Sequence, residues 1–248
     1  MKLFLLFFIL LYSSFSNATN WTILANGPEM PTQELAKCWH YGKVVALDGA
    51  ANRLRHLSFY PHVILDDFDS IEDPQYWGIQ KTFCEIDQNA SPYVGNFSVT
   101  IVPAKNQDYT DLEKGILYCD SQSAVAILIV QATGGRMDHT LGNLGLLRKH
   151  YRSNRTLIIE TEHEQILFLK DSEIRIAKGE ENACAIMGYP QALLTSIGLA
   201  YDCSEYLLKL GVQESVCNKL ISSEATIAIQ GEALIILPKS AAVSFKDN

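Results

Sequence analysis

The chain is poor in charge and has no basic excess. Charged residues make up 19% of its 248 positions, Lys plus Arg number 20 against 28 Asp plus Glu, and the formal net charge is −8. With a pI near 5.2, this argues against a protein that coats nucleic acid by charge. Cysteine is sparse: six residues, at 38, 84, 119, 184, 203 and 217, with no Cys-x-x-Cys and no zinc-finger spacing. That excludes a disulfide scaffold and predicts free thiols, mostly buried. Beyond residue 18 no apolar run is long enough to span a bilayer, so no stable membrane span is expected there. Gly-x-x-x-x-Gly-Lys-Ser/Thr, Gly-x-Gly-x-x-Gly, Gly-x-Ser-x-Gly and His-Glu-x-x-His are all missing, as are repeats and low-complexity tracts. What remains is 48% apolar, ample for a buried core in one or two domains.

The first 18 residues stand apart. Met1-Lys2 precedes nine apolar residues, Leu3 to Leu11, and Ser16 and Ala18 occupy positions −3 and −1 of a cut after Ala18. This is the layout of a secretory signal, too short to span a membrane as a mature helix. An apolar extension or a start codon assigned too early would give the same residues.

The rest divides into two patterns. Over residues 19–160 short apolar runs alternate with helical ones: strands at Trp21–Ala25, Val44–Leu47, His62–Leu65, Ser98–Val102 and Ala124–Val130, helices at Pro31–His40, Ala50–Leu57, Thr110–Asp120 and Asp138–Tyr151. Such alternation predicts βαβ units, a mostly parallel sheet and an αβα domain. Over 161–248 the pattern is short strands, at 165–169, 173–176, 183–186, 226–229 and 234–237. Turn residues Lys170-Asp171, Gly179-Glu180 and Gly231-Glu232 separate them, which predicts a small antiparallel β-sandwich or barrel.

In an open α/β sheet ligands bind beyond the carboxyl ends of the strands. Those positions hold Asp48-Gly49-Ala50-Ala51-Asn52, Asp66-Asp67-Phe68-Asp69-Ser70, Gln107-Asp108-Tyr109-Thr110-Asp111 with Lys114 one turn on, and Thr133-Gly134-Gly135-Arg136-Met137-Asp138-His139 with Asn143. Each has a structural account as well. Asp48 and Asp138 are favoured helix caps, Asp111 suits a helix dipole, the aspartates at 66–69 suit a solvated loop, and the glycine pair suits a tight turn. Together they suggest more. Asp67 and Asp69, two apart on an extended chain, can face one cation. Gly134-Gly135 between a buried strand and a helix frees backbone N–H groups for an anion, and Arg136 offers a forked donor. A hard-cation cluster beside an anion cradle suits a Mg²⁺-bound polyphosphate.

In these ordered motifs the sequence resembles the thiamine pyrophosphokinase (thiamine diphosphokinase) family, from Asn26-Gly27 to Leu237. Asp48–Asn52, Asp67–Ser70, Thr110–Lys114 and Gly134–His139 resemble its four nucleotide-domain motifs. Gly198–Tyr201 and Gly211–Asn218 resemble segments of its thiamine domain. The resemblance implies an α/β domain over 19–160 that binds ATP and Mg²⁺, a β-rich thiamine domain over 161–248, and a homodimer with a composite active site. It implies transfer of a diphosphoryl group from Mg-ATP to the thiamine hydroxyl, giving thiamine diphosphate and AMP. Asp67, Asp69 and Asp111 would hold Mg²⁺; Asp48, Asn52 and Gln107 would line the phosphates and the reacting centre; Arg136 would hold phosphate and Asp138 complete the site. Ser70, Thr110, Lys114, Gly134, Gly135, His139 and Asn143 fall in the nucleotide motifs, and Tyr201, Ser215 and Asn218 in the thiamine segment. Three departures stand out: Asp66 for the usual Gly, adding bulk and charge beside the metal pair; Cys217 for a Ser; and Tyr201 for the Trp of some members. An ATP-dependent activity implies a cytoplasmic protein, against the signal-like start. The alternatives from other classes are an exported, non-catalytic thiamine- or nucleotide-binding protein and a metal-dependent nucleotide-sugar transferase.

Overall fold

A computed structural model describes residues 19–80 and 91–246. The signal-like segment 1–18 and Cys84 lie outside the described residues. The chain divides into two compact units that adjoin in sequence at Leu157 and Ile158.

The first unit contains β1 (Thr19–Leu24), α1 (Thr32–Tyr41), β2 (Lys43–Leu47), α2 (Ala50–His56), β3 (Val63–Asp66), α3 (Pro74–Trp77), β4 (Tyr93–Val94), β5 (Thr100–Pro103), α4 (Asp111–Ser121), β6 (Ala124–Val130) and α5 (Met137–Lys149). β1 pairs in parallel with β2 and β6, β2 with β3, and β3 with β5; β4 alone is antiparallel, on β5. In that register Ile23 lies between Val45 and Ile129. All three are fully buried, as expected for strands covered on both faces. Helix α4 starts where Thr110 Oγ1 accepts the Glu113 N–H at 3.3 Å, with Asp111 and Glu113 in its positive first turn.

Two features were not expected from the sequence. Strand β5 starts at Thr100 rather than Ser98, because Asn96–Ser98 form a 3₁₀ turn in which Phe97 adopts φ 57°. The short helix α3 begins at Pro74, with Asp73 accepting the Tyr76 N–H at 3.1 Å, and ends at Gly78 with φ 75°.

The second unit takes up β7 (Thr156–Glu160) from Ile158 on, followed by β8 (Glu164–Ala177), β9 (Ala183–Ile197), β10 (Tyr206–Lys209), β11 (Ser215–Lys219), β12 (Glu224–Pro238) and β13 (Ala242–Phe245). Every pairing is antiparallel: β12 with β8 and β9, β8 with β7 and β13, β9 with β10 and β11. Here the expected turns need correction. Lys170-Asp171 and Gly231-Glu232 do not separate strands; they lie inside β8 and β12. The pairing shifts register between Ile229 and Glu232. There Gly231, at φ 97°, donates its N–H to Asp171 Oδ1 at 2.7 Å, and Asp171 itself adopts φ 44°. Turn-forming residues thus make a bulge that bends a continuous strand.

Cys38, Cys119 and Cys184 are buried free thiols, Cys203 is half-buried and Cys217 exposed. Among the described residues no helix is long and apolar enough to cross a membrane.

Gly115 sets how closely α4 approaches the sheet. A Cβ there would stand 3.0 Å from Leu47 Cδ2 and 3.4 Å from Ile23 Cδ1. Gly115→Val is expected to overpack this contact and lower stability by about 1–3 kcal/mol, read from urea unfolding. An unchanged midpoint would mean that the helix can shift without cost.

Candidate active site

The loops that follow β1, β2 and β6 converge. A side chain on Gly27 would clash with the Gln131 carbonyl just past β6, and one on Gly49 with the Asn26 amide. Gly134 and Gly135 lie against Pro28, with Gly134 at φ 86°. The loop at 26–28 therefore stands between the carboxylates after β2 and the glycine pair after β6, as the strand-end rule anticipates.

At the end of β2, Asp48 is buried and adopts φ 39°. Its Oδ1 accepts the Ser70 N–H at 3.2 Å. Burial pushes its carboxyl above the usual carboxylate range, against the hydrogen bonds it accepts from Ser70. Asp67 and Asp69 flank Phe68, which adopts φ 66° and buries its ring. The two aspartates thus share a side through a tight turn rather than through an extended chain. Asp67 Oδ1 accepts the Asp69 N–H at 3.3 Å, and its Oδ2 accepts from Gln107 Nε2 at 3.2 Å. Ser70 Oγ donates to Asp69 Oδ1 at 2.9 Å. Asn52 clamps the same turn, donating to Ser70 O at 2.8 Å and accepting the Glu72 N–H at 3.0 Å. Both ends of its amide are engaged with backbone.

Carboxylate oxygens of Asp48, Asp67 and Asp69 all lie within 4.8 Å of one another. Three hard oxygen donors at that spacing match the preferences of a small divalent cation. Asp111 lies outside this trio; its Oδ1 is 3.4 Å from Lys114 Nζ, one turn along α4. Asp66 lies outside it too. Instead of crowding the pair, its carboxyl turns inward, where Oδ1 accepts from Lys114 Nζ at 2.6 Å and from the Asp67 N–H at 2.9 Å. Burial, and then Asp111, push Asp66 up, against the pull of Lys114. Burial also works against the charge on Lys114, but Asp66 and Asp111 outweigh it and hold its pKa high.

Past β6, Asn143 Nδ2 donates to the Ala132 carbonyl at 2.8 Å and pins the approach to the glycine pair. Arg136 grips Asp138 with two hydrogen bonds, Nε to Oδ1 at 3.1 Å and Nη2 to Oδ2 at 2.5 Å. This fork holds Asp138 down at about 2. Both side chains are exposed, and Asp138 Oδ1 also accepts the His139 N–H at 3.0 Å. Thr110 acts as the cap of α4.

In the second unit Asn218 is buried and ties down Tyr201. Its Oδ1 accepts the Tyr201 N–H at 3.0 Å and its Nδ2 donates to the Tyr201 carbonyl at 2.8 Å. Ser215 Oγ lies 3.3 Å from the same Nδ2. The Tyr201 ring is exposed. Asp202, not singled out in the sequence, accepts the N–H groups of Gly198 at 3.2 Å and Leu199 at 2.9 Å, so it shapes the turn that presents Tyr201. An Asp four residues past a Gly is the only sequence signal for it. Lys114 was visible one turn on from Asp111 and Asp66 as a departure from the family's usual glycine, but nothing in the sequence paired the two.

Comparison with known proteins bears on this arrangement. The family model described as thiamin pyrophosphokinase, catalytic domain, matches residues 35–159, half of the chain. The chain is 28% identical over 218 residues to thiamin pyrophosphokinase 1 of Caenorhabditis elegans, covering 82% of each. It is 25% identical over 196 residues to thiamine pyrophosphokinase of Bacillus subtilis, covering 78% of this chain and 85% of that one. The crystal structure of the Bacillus subtilis thiamine pyrophosphokinase superposes with a TM-score of 0.72 at 24% identity, over 88% of this chain and 97% of that one. The yeast thiamin pyrophosphokinase structure gives 0.70 at 17% identity, over 91% and 87%. These two likenesses speak for a shared mixed α/β fold. With the family model spanning every strand-end motif of the first unit, the chain belongs to the thiamin pyrophosphokinase family.

Proposed function

We propose that this chain is a thiamine diphosphokinase: an ATP-dependent enzyme that moves a diphosphoryl group from ATP to the hydroxyl of thiamine. The observation that carries the reading is the Asp48–Asp67–Asp69 trio beside the Gly134-Gly135 turn, within a family-matched segment. The thiamine hydroxyl releases its proton to water as its oxygen forms a bond to the β-phosphorus, the bond from that phosphorus to the oxygen bridging it to the α-phosphorus breaks, and AMP leaves with that electron pair. Such transfers need positioning and charge neutralisation more than covalent chemistry. Incubating the full chain with ATP, Mg²⁺ and thiamine should give AMP and thiamine diphosphate in equal amounts. ADP in place of AMP, or no product, would sink the reading.

The finer assignments belong to this proposal. The first unit would be the αβα nucleotide domain and the second a β-sandwich that binds thiamine. Mg²⁺ bound by Asp67 and Asp69 would neutralise phosphate charge and orient the triphosphate. Asp48 completes the observed trio, while Asp111 reaches the metal or the phosphates from the start of α4. Asn52 holds the aspartate turn in shape, and Gln107 orients Asp67. Arg136 would exchange its grip on Asp138 for a phosphate, with the free N–H groups beside Gly134 and Gly135 receiving the rest of the anion. Tyr201 offers a face for thiamine to stack on, with Ser215 and Asn218 supporting it. An activity that consumes ATP fits the cytoplasm.

A homodimer with a composite site fits two features. Expected nucleotide and thiamine contacts fall in different units. The second unit also exposes Leu207, Val212, Val216 and Ile221 on and beside β10 and β11, and apolar surface of this kind favours association.

Three outcomes follow from these assignments. Asp67→Asn or Asp69→Asn should leave the fold intact and remove about 3 kcal/mol of transition-state stabilisation, roughly 100-fold in kcat/KM; near-normal activity in both at limiting Mg²⁺ would remove the metal assignment. Because the carboxyl of Asp48 is raised by burial, the folded chain keeps that proton to higher pH than the unfolded chain does. Its contribution to stability is therefore present at low pH and declines as pH rises through the raised value. A divalent cation that takes the ionised form offsets the decline, so Mg²⁺ should raise the melting temperature more at pH 7.5 than at pH 5. Equal shifts at the two pH values would speak against a carboxylate site. Finally, mixing inactive Asp111→Asn chains with inactive Asn218→Ala chains should restore activity, since a mixed dimer holds one intact composite site. Heterodimers that form and stay inactive would rule out sharing between subunits.

A further inference from the structure

Lys114 and Asp66 form a buried, hydrogen-bonded pair within the site. Their side chains are 6% and 1% exposed, and the Nζ to Oδ1 distance is 2.6 Å. The resemblance to nucleotide-binding motifs suggests that Lys114 contacts ATP. Its ammonium group is instead committed: to Asp66 at the end of β3, and to Asp111 Oδ1 at 3.4 Å in the first turn of α4. The same Asp66 oxygen accepts the Asp67 N–H at 2.9 Å, while Asp66 Oδ2 is buried with no hydrogen-bond partner. One oxygen atom therefore joins α4 to the first residue of the aspartate turn. A buried lysine held in this way, with its partner 48 residues away in sequence, acts as a strut. It fixes where Asp111 stands relative to Asp67.

We propose that Asp66 and Lys114 form a positioning pair for the metal-binding carboxylates, and that Lys114 is not a phosphate contact. The proposal rests on the thiamine diphosphokinase reading only in taking Asp67 and Asp69 as cation ligands. Simple electrostatics and positioning make opposite forecasts for one variant. Removing a positive charge beside an acidic trio should tighten cation binding if charge alone matters. It should weaken binding if the lysine holds the ligands in place, since loss of a supporting partner typically costs 10–100-fold in metal affinity.

The test uses the full chain without nucleotide, with Mn²⁺ as the probe and free Mn²⁺ counted by electron paramagnetic resonance. Asp66→Asn and Lys114→Met should each weaken Mn²⁺ binding about 10-fold or more. The double variant should be no worse than the weaker single, because both substitutions break one strut. Tighter binding in Lys114→Met, or losses that multiply in the double variant, would overturn the pair. So would unchanged Mn²⁺ affinity with a raised KM for ATP, the signature of a phosphate contact. A single variant that leaves an unpaired buried charge could fail to fold, which thermal melts would show. The double variant leaves no such charge, and wild-type Mn²⁺ affinity in it would overturn the proposal without help from the singles. Failure of the thiamine reading registers separately, in the product assay of the wild-type chain, since Mn²⁺ binding needs no turnover. A wild-type chain that binds no Mn²⁺ would overturn both the metal assignment and the pair.

Discussion

Like charges must be held together at the carboxyl ends of β2 and β3, and much of the first unit answers to that constraint. Asp48, Asp67 and Asp69 place oxygens within 4.8 Å of one another, and Asp66 adds a fourth carboxylate that is almost completely buried. Carboxylates so close repel one another, and at Asp48 and Asp66 burial removes the water that would screen them. The fold supplies donors in place of water. Backbone N–H groups of Ser70, Asp67 and Asp69 each point at an aspartate oxygen, and Gln107 and Lys114 add side-chain donors. Nearly every one of these donors comes from a strand end, from the first turns of α4 or from the aspartate turn itself. The parallel sheet delivers them, because its register brings the ends of β2, β3 and β5 side by side.

The elements of the first unit were legible because they bury one face or both. A run such as Ala124–Val130 has no polar residue to place at a surface, and the helices between strands show their period plainly. The acidic and glycine motifs were legible because strand ends are where an open sheet binds ligands. What stayed hidden depended on side-chain direction. The run of aspartates put the bulk and charge of Asp66 beside the metal pair, yet its carboxyl turns inward to a lysine 48 residues away in sequence. The family resemblance offered Asp111 as a partner of Asp67 and Asp69; in the structure Lys114, on the same face of the helix one turn on, lies 3.4 Å from its carboxylate. Asn218 ties down the Tyr201 turn through backbone groups 17 residues away in sequence, and no local pattern encodes that.

Two turns of the second unit were misplaced for a different reason, although its antiparallel pairing was as expected. Lys170-Asp171 and Gly231-Glu232 have the chemistry of tight turns. In the structure they stand side by side on neighbouring strands, and the Asp171 carboxylate accepts the Gly231 N–H. A positive φ that would reverse a lone strand is absorbed here as a bulge, because the strands continue to pair on both sides of it. A single sequence cannot distinguish a turn that reverses a chain from one that bends two paired chains together. The difference lies in the partner strand.

Part of the chain's backbone strain lies where the chemistry is proposed. Asp48, Asp66 and Phe68 adopt φ values of 39°, 152° and 66° at the ends of β2 and β3. Side chains other than glycine in such regions cost on the order of 1–3 kcal/mol each and persist only where their surroundings hold them. Each is held by something specific: Asp48 by the Ser70 N–H, Phe68 by burial of its ring, and Asp66 by Lys114 and the Asp67 N–H. Position 66 is where the family resemblance expects glycine, the residue that meets this φ without a steric penalty. Aspartate can stand there because its carboxylate gains a charge-assisted bond in the interior. The substitution therefore depends on the lysine: the buried pair is what lets a strained aspartate replace glycine without disturbing the turn that presents Asp67 and Asp69.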